Sequence, residues 1–227
     1  MPHGKQSRGR CTFCGHETTK GAMVRHLSVC PQRQAQITSA EQTDRKPETL
    51  YHLRMQDAYS NDFWLELEVR DSTTLKAIDT YLRAIWLECC GHLSRFSIGG
   101  WQGEEIPLSR RVGAIFQDDV ELTHIYDFGT SSVTLIKKMS HRTGVPLSTR
   151  PMFLMARNLM PETFCMECGE PATHFCMECM YEEESWTLCE QHARIHPHDD
   201  DDGEPIELVN SPRLGLCGYE GPADPPY

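Results

Sequence analysis

Along the first fifty residues apolar positions are scattered, and regular alternation begins at about residue 50. Segments 51–56 (YHLRMQ) and 63–69 (FWLELEV) read as two strands joined by a turn at 59–62. In the second, Leu65, Leu67 and Val69 share one face and Glu66 and Glu68 the other. A helical period follows: residues 72–74 open a helix over TLKAIDTYLRAIWLECC, on which Leu75, Ile78, Leu82, Ile85 and Cys89 recur at helical spacing. Further strands are predicted at 96–98, 122–126 and 132–138, with a short helical turn at 109–116. The order β, β, α, β, short helix, β, β predicts an α+β domain over 49–157, one long helix packed on a mixed sheet in a β-grasp-like arrangement. Cys89 and Cys90 end that helix as core residues.

The two flanks lack this patterning and are rich in cysteine and histidine instead. The chain has 227 residues with 11 cysteines and 11 histidines, and C-x-x-C spacing in a protein without a secretory signature points to metal rather than to a disulfide framework. Near the N-terminus CTFCGHETTKGAMVRHLSVC gives Cys11-x2-Cys14-x11-His26-x3-Cys30. That is the spacing of a C2HC zinc finger over 8–32, in which a knuckle supplies two thiolates and one face of a short helix, 21–29, supplies two further ligands. Thr18 or Thr19 caps this helix in that reading, and Met23, Val24 and Leu27 meet Phe13. His16 lies too close to Cys14 to serve comfortably in the same tetrahedron. The polar stretch after Pro31 reads as a linker over 33–48.

At the other end FCMECGEPATHFCMEC is followed by LCEQHARIHPH. Eight ligands suit two tetrahedral zinc ions in a cross-braced module over 162–210 that looks like a B-box. Cys165, Cys168, Cys189 and His192 hold one ion, and Cys176, Cys179, His196 and His198 the other. Only one residue separates the two last histidines, where a B-box normally has more, so His174 or an acidic residue of the following Asp run stays open as a substitute. About three zinc ions per chain are thus expected, all in closed sets of protein ligands. Redox chemistry by the C-x-x-C pairs is the rival, and it requires a free dithiol at a helix N-terminus. The Asp199–Asp202 run reads as a solvated loop, and residues 211–227 as an extended tail with Cys217 structural.

Charge divides the chain further. Residues 1–46 carry eight Lys/Arg against three Asp/Glu (+5), residues 47–157 twelve against fourteen (−2), and residues 158–227 two against sixteen (−14), within a total of −11. The basic head, with Lys5, Arg8, Arg10, Lys20, Arg25 and Arg33, suits a nucleic-acid phosphate, whereas the acidic end would repel one and suits a protein partner. The N-terminus lacks an apolar signal region and no stretch reaches the eighteen apolar residues of a membrane span, so a cytoplasmic, soluble protein without membrane contact is expected.

The motifs YHLRMQ, FWLELEV, CCGHLSRFSIGG and HIYDFG, with LMARNLMPE and NSPRLGLCGYEG beyond them, resemble the plasmid pRi open-reading-frame-three-like family of bacterial proteins, related to passenger TnpR-like proteins of insertion elements. The resemblance covers roughly residues 48–221. It implies a fold and a mobile-element setting without an established activity. The family usually follows YDFG with an Asp and then a Trp and a His, where this chain has Thr130, Ser131, Ser132 and Val133.

An enzyme would need a nucleophile and a base. His92 with Ser94, and His124 with Asp127, are weak pairs, and Ser109 with Arg110 and Arg111 lacks the basic surroundings of a serine recombinase. The expectation is therefore a non-enzymatic zinc-binding adaptor or accessory protein, with a nuclease- or recombinase-like enzyme centred on the middle domain as the alternative.

Overall fold

The computed structural model describes residues 7–86, 88, 91–182, 186–196 and 204–213. The chain begins with a hairpin of β1 (Arg8–Cys11) and β2 (Glu17–Thr19), then α1 (Lys20–Val29) and α2 (Pro31–Glu41). A second hairpin, β3 (Glu48–Asp57) and β4 (Trp64–Arg70), leads into α3 (Leu75–Ile85). There follow β5 (Ser94–Ile98), β6 (Glu104–Ile106), α4 (Val112–Ile115), β7 (Glu121–Tyr126), β8 (Ser132–Gly144) and β9 (Met152–Asn158). The C-terminal part contains β10 (His174–Phe175), α5 (Met177–Tyr181), β11 (Thr187–Leu188), α6 (Glu190–Arg194) and β12 (Ile206–Glu207). One sheet has the order β2-β1-β9-β4-β3-β8-β7-β5-β6, and a small second sheet the order β11-β10-β12.

The α+β class is as expected from the pattern. Strand direction departs from the mixed, β-grasp-like sheet: every pairing among the described strands is antiparallel. Short connections make β1/β2, β3/β4, β5/β6 and β7/β8 hairpins, and a hairpin permits no other direction.

The main core lies between this sheet and α3. Thr74 caps the helix by accepting from the Ala77 amide at 3.4 Å, and Leu75, Ile78, Leu82 and Ile85 are fully buried against Leu53, Met55, Leu65, Leu67 and Val69. Each such side chain contributes about 1.5–3 kcal/mol through removal from water. The opposite face of β4 is also buried. Glu66 takes His52 Nε2 at 2.7 Å and Arg54 Nε at 2.7 Å, while Glu68 takes Arg142 Nε at 2.9 Å and faces Arg33 at 3.7 Å. Two carboxylates with negligible exposure are therefore each met by cations or an imidazole, as burial of charge requires.

Arg33 belongs to the stretch expected to be a linker, which is instead mostly helix. Pro31 occupies the first turn of α2, where its missing N–H is not needed, and glutamine, alanine and arginine continue the turn. Arg33 also donates to the Leu27 carbonyl at 3.0 Å, fastening α2 to α1.

The finger is an edge of the large sheet. Gly9, Arg10 and Cys11 of β1 pair with Asn158, Arg157 and Ala156 of β9. Gly9 is required by this seating, because a Cβ there would collide with the buried Trp64 ring and the Arg157 carbonyl. Gly9→Ala should therefore lower stability by about 1–3 kcal/mol, seen as a fall in the urea midpoint. An unchanged midpoint would contradict this close approach of β1 to Trp64.

Candidate metal centres

The finger's ligands are aimed by local backbone geometry. After Cys11 the chain turns back through Gly15, whose φ of +74° suits glycine. The Gly15 amide donates to the Cys11 carbonyl and the Cys11 amide to the His16 carbonyl, both at 2.9 Å. This knuckle presents Cys11 and Cys14, while α1 presents His26 and, at its end, Cys30. The four ligand atoms lie within 4.8 Å of one another, with Cys14 Sγ 3.3 Å from His26 Nε2. A zinc tetrahedron with bonds of about 2.3 Å to sulfur and 2.0–2.1 Å to nitrogen has edges of about 3.3–3.8 Å, so the donor set fits the ion.

Met23, Leu27, Trp64, Met155 and Ala156 pack behind this set, and Phe13 stacks on Phe153 at 5.4 Å. Thr19 occupies the cap position of α1 without a side-chain capping bond. His16 stacks on His26 at 4.5 Å and its amide donates to Cys14 Sγ at 3.4 Å, placing it beside the four rather than among them. Burial pushes the Cys11 thiol up to about 11, and a cation at the centre of the set would favour its thiolate.

The C-terminal module repeats this construction twice. Gly169, with φ +78°, turns the chain between the first cysteine pair and the following hairpin, and its amide donates to the Cys165 carbonyl at 2.8 Å. Cys165, Cys168, Cys189 and His192 form one group and Cys176, Cys179 and His196 a second, each with its ligand atoms within 4.8 Å. Cys165 Sγ stands 3.4 Å and Cys189 Sγ 3.3 Å from His192 Nδ1, Cys168 Sγ 3.9 Å from Cys189 Sγ, and Cys179 Sγ 3.1 Å from His196 Nε2. These separations are again close to tetrahedral edges, and the sulfur–sulfur distance is far too long for a disulfide of about 2.05 Å. The alternating pairs thus belong to different groups, which is the cross-brace.

His198, the expected fourth member of the second group, lies outside the described residues, as do Asp199–Asp202, Cys89, Cys90 and Cys217. His174 stands in β10 with Nδ1 2.8 Å from Thr173 Oγ1, outside both groups. Burial raises the Cys165 thiol, but the amides of Cys189, Cys168 and Glu167 outweigh it and bring the thiol down to about 6, so it is readied as a thiolate ligand.

The middle domain holds a further polar cluster, in which neither of the weak pairs considered from sequence is formed. Ser94 Oγ donates to Asp79 Oδ1 at 2.6 Å rather than meeting His92, and His124 Nε2 lies 3.0 Å from the same oxygen rather than meeting Asp127. Arg83 Nε donates to Asp79 Oδ2 at 2.8 Å. Asp79 adjoins the apolar stripe of α3 with Arg83 four residues on, a signal available in the sequence but overlooked. Buried Glu88 faces His124 Nδ1 at 4.0 Å, and burial raises its carboxyl above the ordinary range. Ser94 and His124 thus share one carboxylate oxygen, with Arg83 on the other. Ser109, Arg110 and Arg111 are all exposed.

No family model and no curated protein matches the chain. Among solved structures, a Methanosarcina mazei Go1 protein of unknown function, MM3350, is similar over 48% of this chain and 69% of its own, with 15% identity and a TM-score of 0.41. No described helix is long and apolar enough to cross a membrane.

The Asp79 cluster generates a pH prediction. Burial opposes ionisation of Asp79, but His124, Arg83 and Ser94 prevail and hold it well below its ordinary value near 3.8. Such a carboxylate adds stability that is present above its unfolded pKa and lost as pH falls through the folded one. The melting temperature should fall steeply below about pH 4, and Asp79→Asn should lower it at neutral pH while flattening that acid limb. Parallel acid limbs in the two proteins would disprove the assignment.

Proposed function

We propose that this protein is a non-enzymatic, zinc-binding adaptor or accessory protein whose Cys/His groups hold interaction surfaces in shape. The observation that carries the reading is the convergence of three Cys/His groups at zinc-ligand spacing, two of them complete with four protein ligands. Zinc bound in such closed sets supplies folding energy and offers no open position to a substrate or water. In the second C-terminal group His198 is the proposed fourth ligand.

A protein partner is favoured by what the C-terminal module displays. Phe164, Met166, Trp186 and Ile195 are exposed around its metal groups, on a segment whose charge of −14 would repel nucleic acid. The basic finger is the proposed nucleic-acid contact, with Arg25 as a phosphate ligand. The mobile-element setting implied by the plasmid-family resemblance completes the proposal.

Elemental analysis of the purified chain should give about three zinc ions, with Cys165→Ser reducing the content to about two. Chelation should abolish the folded signal of the C-terminal module. Metal-free protein with intact structure, or turnover of a nucleic acid dependent on one labile ion, would overturn the proposal in favour of an enzyme.

A further inference from the structure

The C-terminal segment ends its described course in an unusual way: Arg213 is inserted into the middle domain with 1% of its surface exposed. Its Nη2 donates to Asp127 Oδ2 at 2.7 Å, and its Nη1 donates to the Thr130 carbonyl at 2.8 Å and to Ser132 Oγ at 2.9 Å. The guanidinium carbon lies 4.8 Å from the centre of the Tyr126 ring. One turn of chain earlier, Ser211 Oγ donates to the Trp86 carbonyl at 2.7 Å and accepts from the Arg213 amide at 3.0 Å, so the Ser-Pro-Arg step is held in one shape.

The receiving side is organised by its own bonds. Asp127 has φ +60°, the one non-glycine residue in the left-handed region among the described residues. Its Oδ1 accepts from the amides of Gly129 and Thr130 at 3.0 and 3.3 Å, and its carbonyl accepts from Ser131 Oγ at 2.6 Å. One carboxylate oxygen thus closes the turn while the other points at the guanidinium. Arg213 takes no part in these three bonds. Aspartate tolerates this conformation when its side chain closes the turn, and here that closure fixes the carboxylate beside the guanidinium.

We infer that Tyr126, Asp127, Thr130 and Ser132 form a guanidinium pocket whose resident ligand is the chain's own Ser-Pro-Arg step, residues 211–213. The pocket recognises an arginine-bearing peptide of that kind, and the resident segment occludes it against the same peptide supplied in trans. Arginine is selected over lysine because the planar guanidinium presents two nitrogens in a fixed fork to acceptors on separate sides while its face lies over the Tyr126 ring, a geometry that a compact ammonium matches less well. The contact is taken to be exchangeable, since the Asp127 turn is closed by bonds in which the segment that fills the pocket has no part.

The test uses the full-length chain carrying Arg213→Ala and a fluorescent peptide, Val-Asn-Ser-Pro-Arg amide, matching residues 209–213. The variant is expected to bind this peptide saturably in fluorescence anisotropy and to bind the counterpart ending in lysine at least about tenfold more weakly. Wild-type protein, with its pocket filled, is expected to bind the arginine peptide at least about tenfold more weakly than the variant. Adding Asp127→Asn to the variant should abolish binding. Absence of saturable binding, equal affinity for the lysine peptide, or survival of binding without the Asp127 charge would each overturn the inference. Should Arg213→Ala fail to fold by circular dichroism, Arg213→Lys takes its place under the same criteria.

Discussion

Strand β9 is the joint on which the arrangement depends. On one edge it pairs with β1 of the finger, on the other with β4 of the middle domain, and at its end Asn158 meets the C-terminal segment. Asn158 Oδ1 accepts from the Trp64 amide at 3.0 Å, its Nδ2 donates to Asn210 Oδ1 at 2.6 Å, and Asn210 Nδ2 donates back to the Asn158 carbonyl at 2.9 Å. A single buried amide therefore satisfies backbone and side-chain groups from two other parts of the chain, and its loss would leave several of them unpaired in a dry site. The finger needs this joint in a second sense. Its few apolar residues, Met23 and Leu27, acquire a core only because β9 and β4 bring Met155, Ala156 and Trp64 to them.

The same joint explains what could be read from the sequence and what could not. Ligand spacing encoded the three Cys/His groups, since C-x-x-C and the following histidines are local geometry, and the cross-braced division between C-terminal pairs followed from their alternation. Helix α3 was legible from its apolar period. β9 was not recognised as a strand, because MFLMARN has apolar residues on both faces: it is covered on one side by the main core and on the other by the finger. Helix α2 was hidden for the opposite reason. Its sequence is polar almost throughout, and what holds it is the Arg33 contact with Glu68 and the Leu27 carbonyl, both invisible until the sheet is assembled. Antiparallel direction likewise resides in connections and pairings rather than in any strand's own residues.

Polar pairs take over wherever apolar material runs short. The face of β4 carrying Glu66 and Glu68 reads as a solvated face in an isolated strand, yet the finger helices cover it and the carboxylates survive burial through His52, Arg54, Arg142 and Arg33. Such pairs add little net stability over an apolar interface of the same shape, but breaking one partner leaves a buried charge uncompensated. Two of these cations reach the helices, Arg33 from within α2 and Arg54 through the Lys20 carbonyl at the start of α1, and so bear on where α1 and α2 sit more than on how firmly. Orientation matters here because α1 delivers His26 and Cys30 to a position set by β1.

Electrostatics also decides how the acidic end can dock at all. Segment 158–227 carries a charge of −14 with only two cations, Arg194 and Arg213, and the middle domain is itself slightly negative. Long-range attraction between them is absent, and beyond about 8 Å salt screens whatever remains. Arg194 is spent within its own helix on Glu190. Arg213 is thus the cation that joins the two acidic bodies, and it does so in a buried pocket where screening is weak and the geometry of the fork counts for more than net charge. Docking under those conditions depends on short-range, directional contacts, the Arg213 fork together with the Asn158–Asn210 amides and the Ser211–Trp86 bond, which is why a segment otherwise repelled by its surroundings can still be held in a single place.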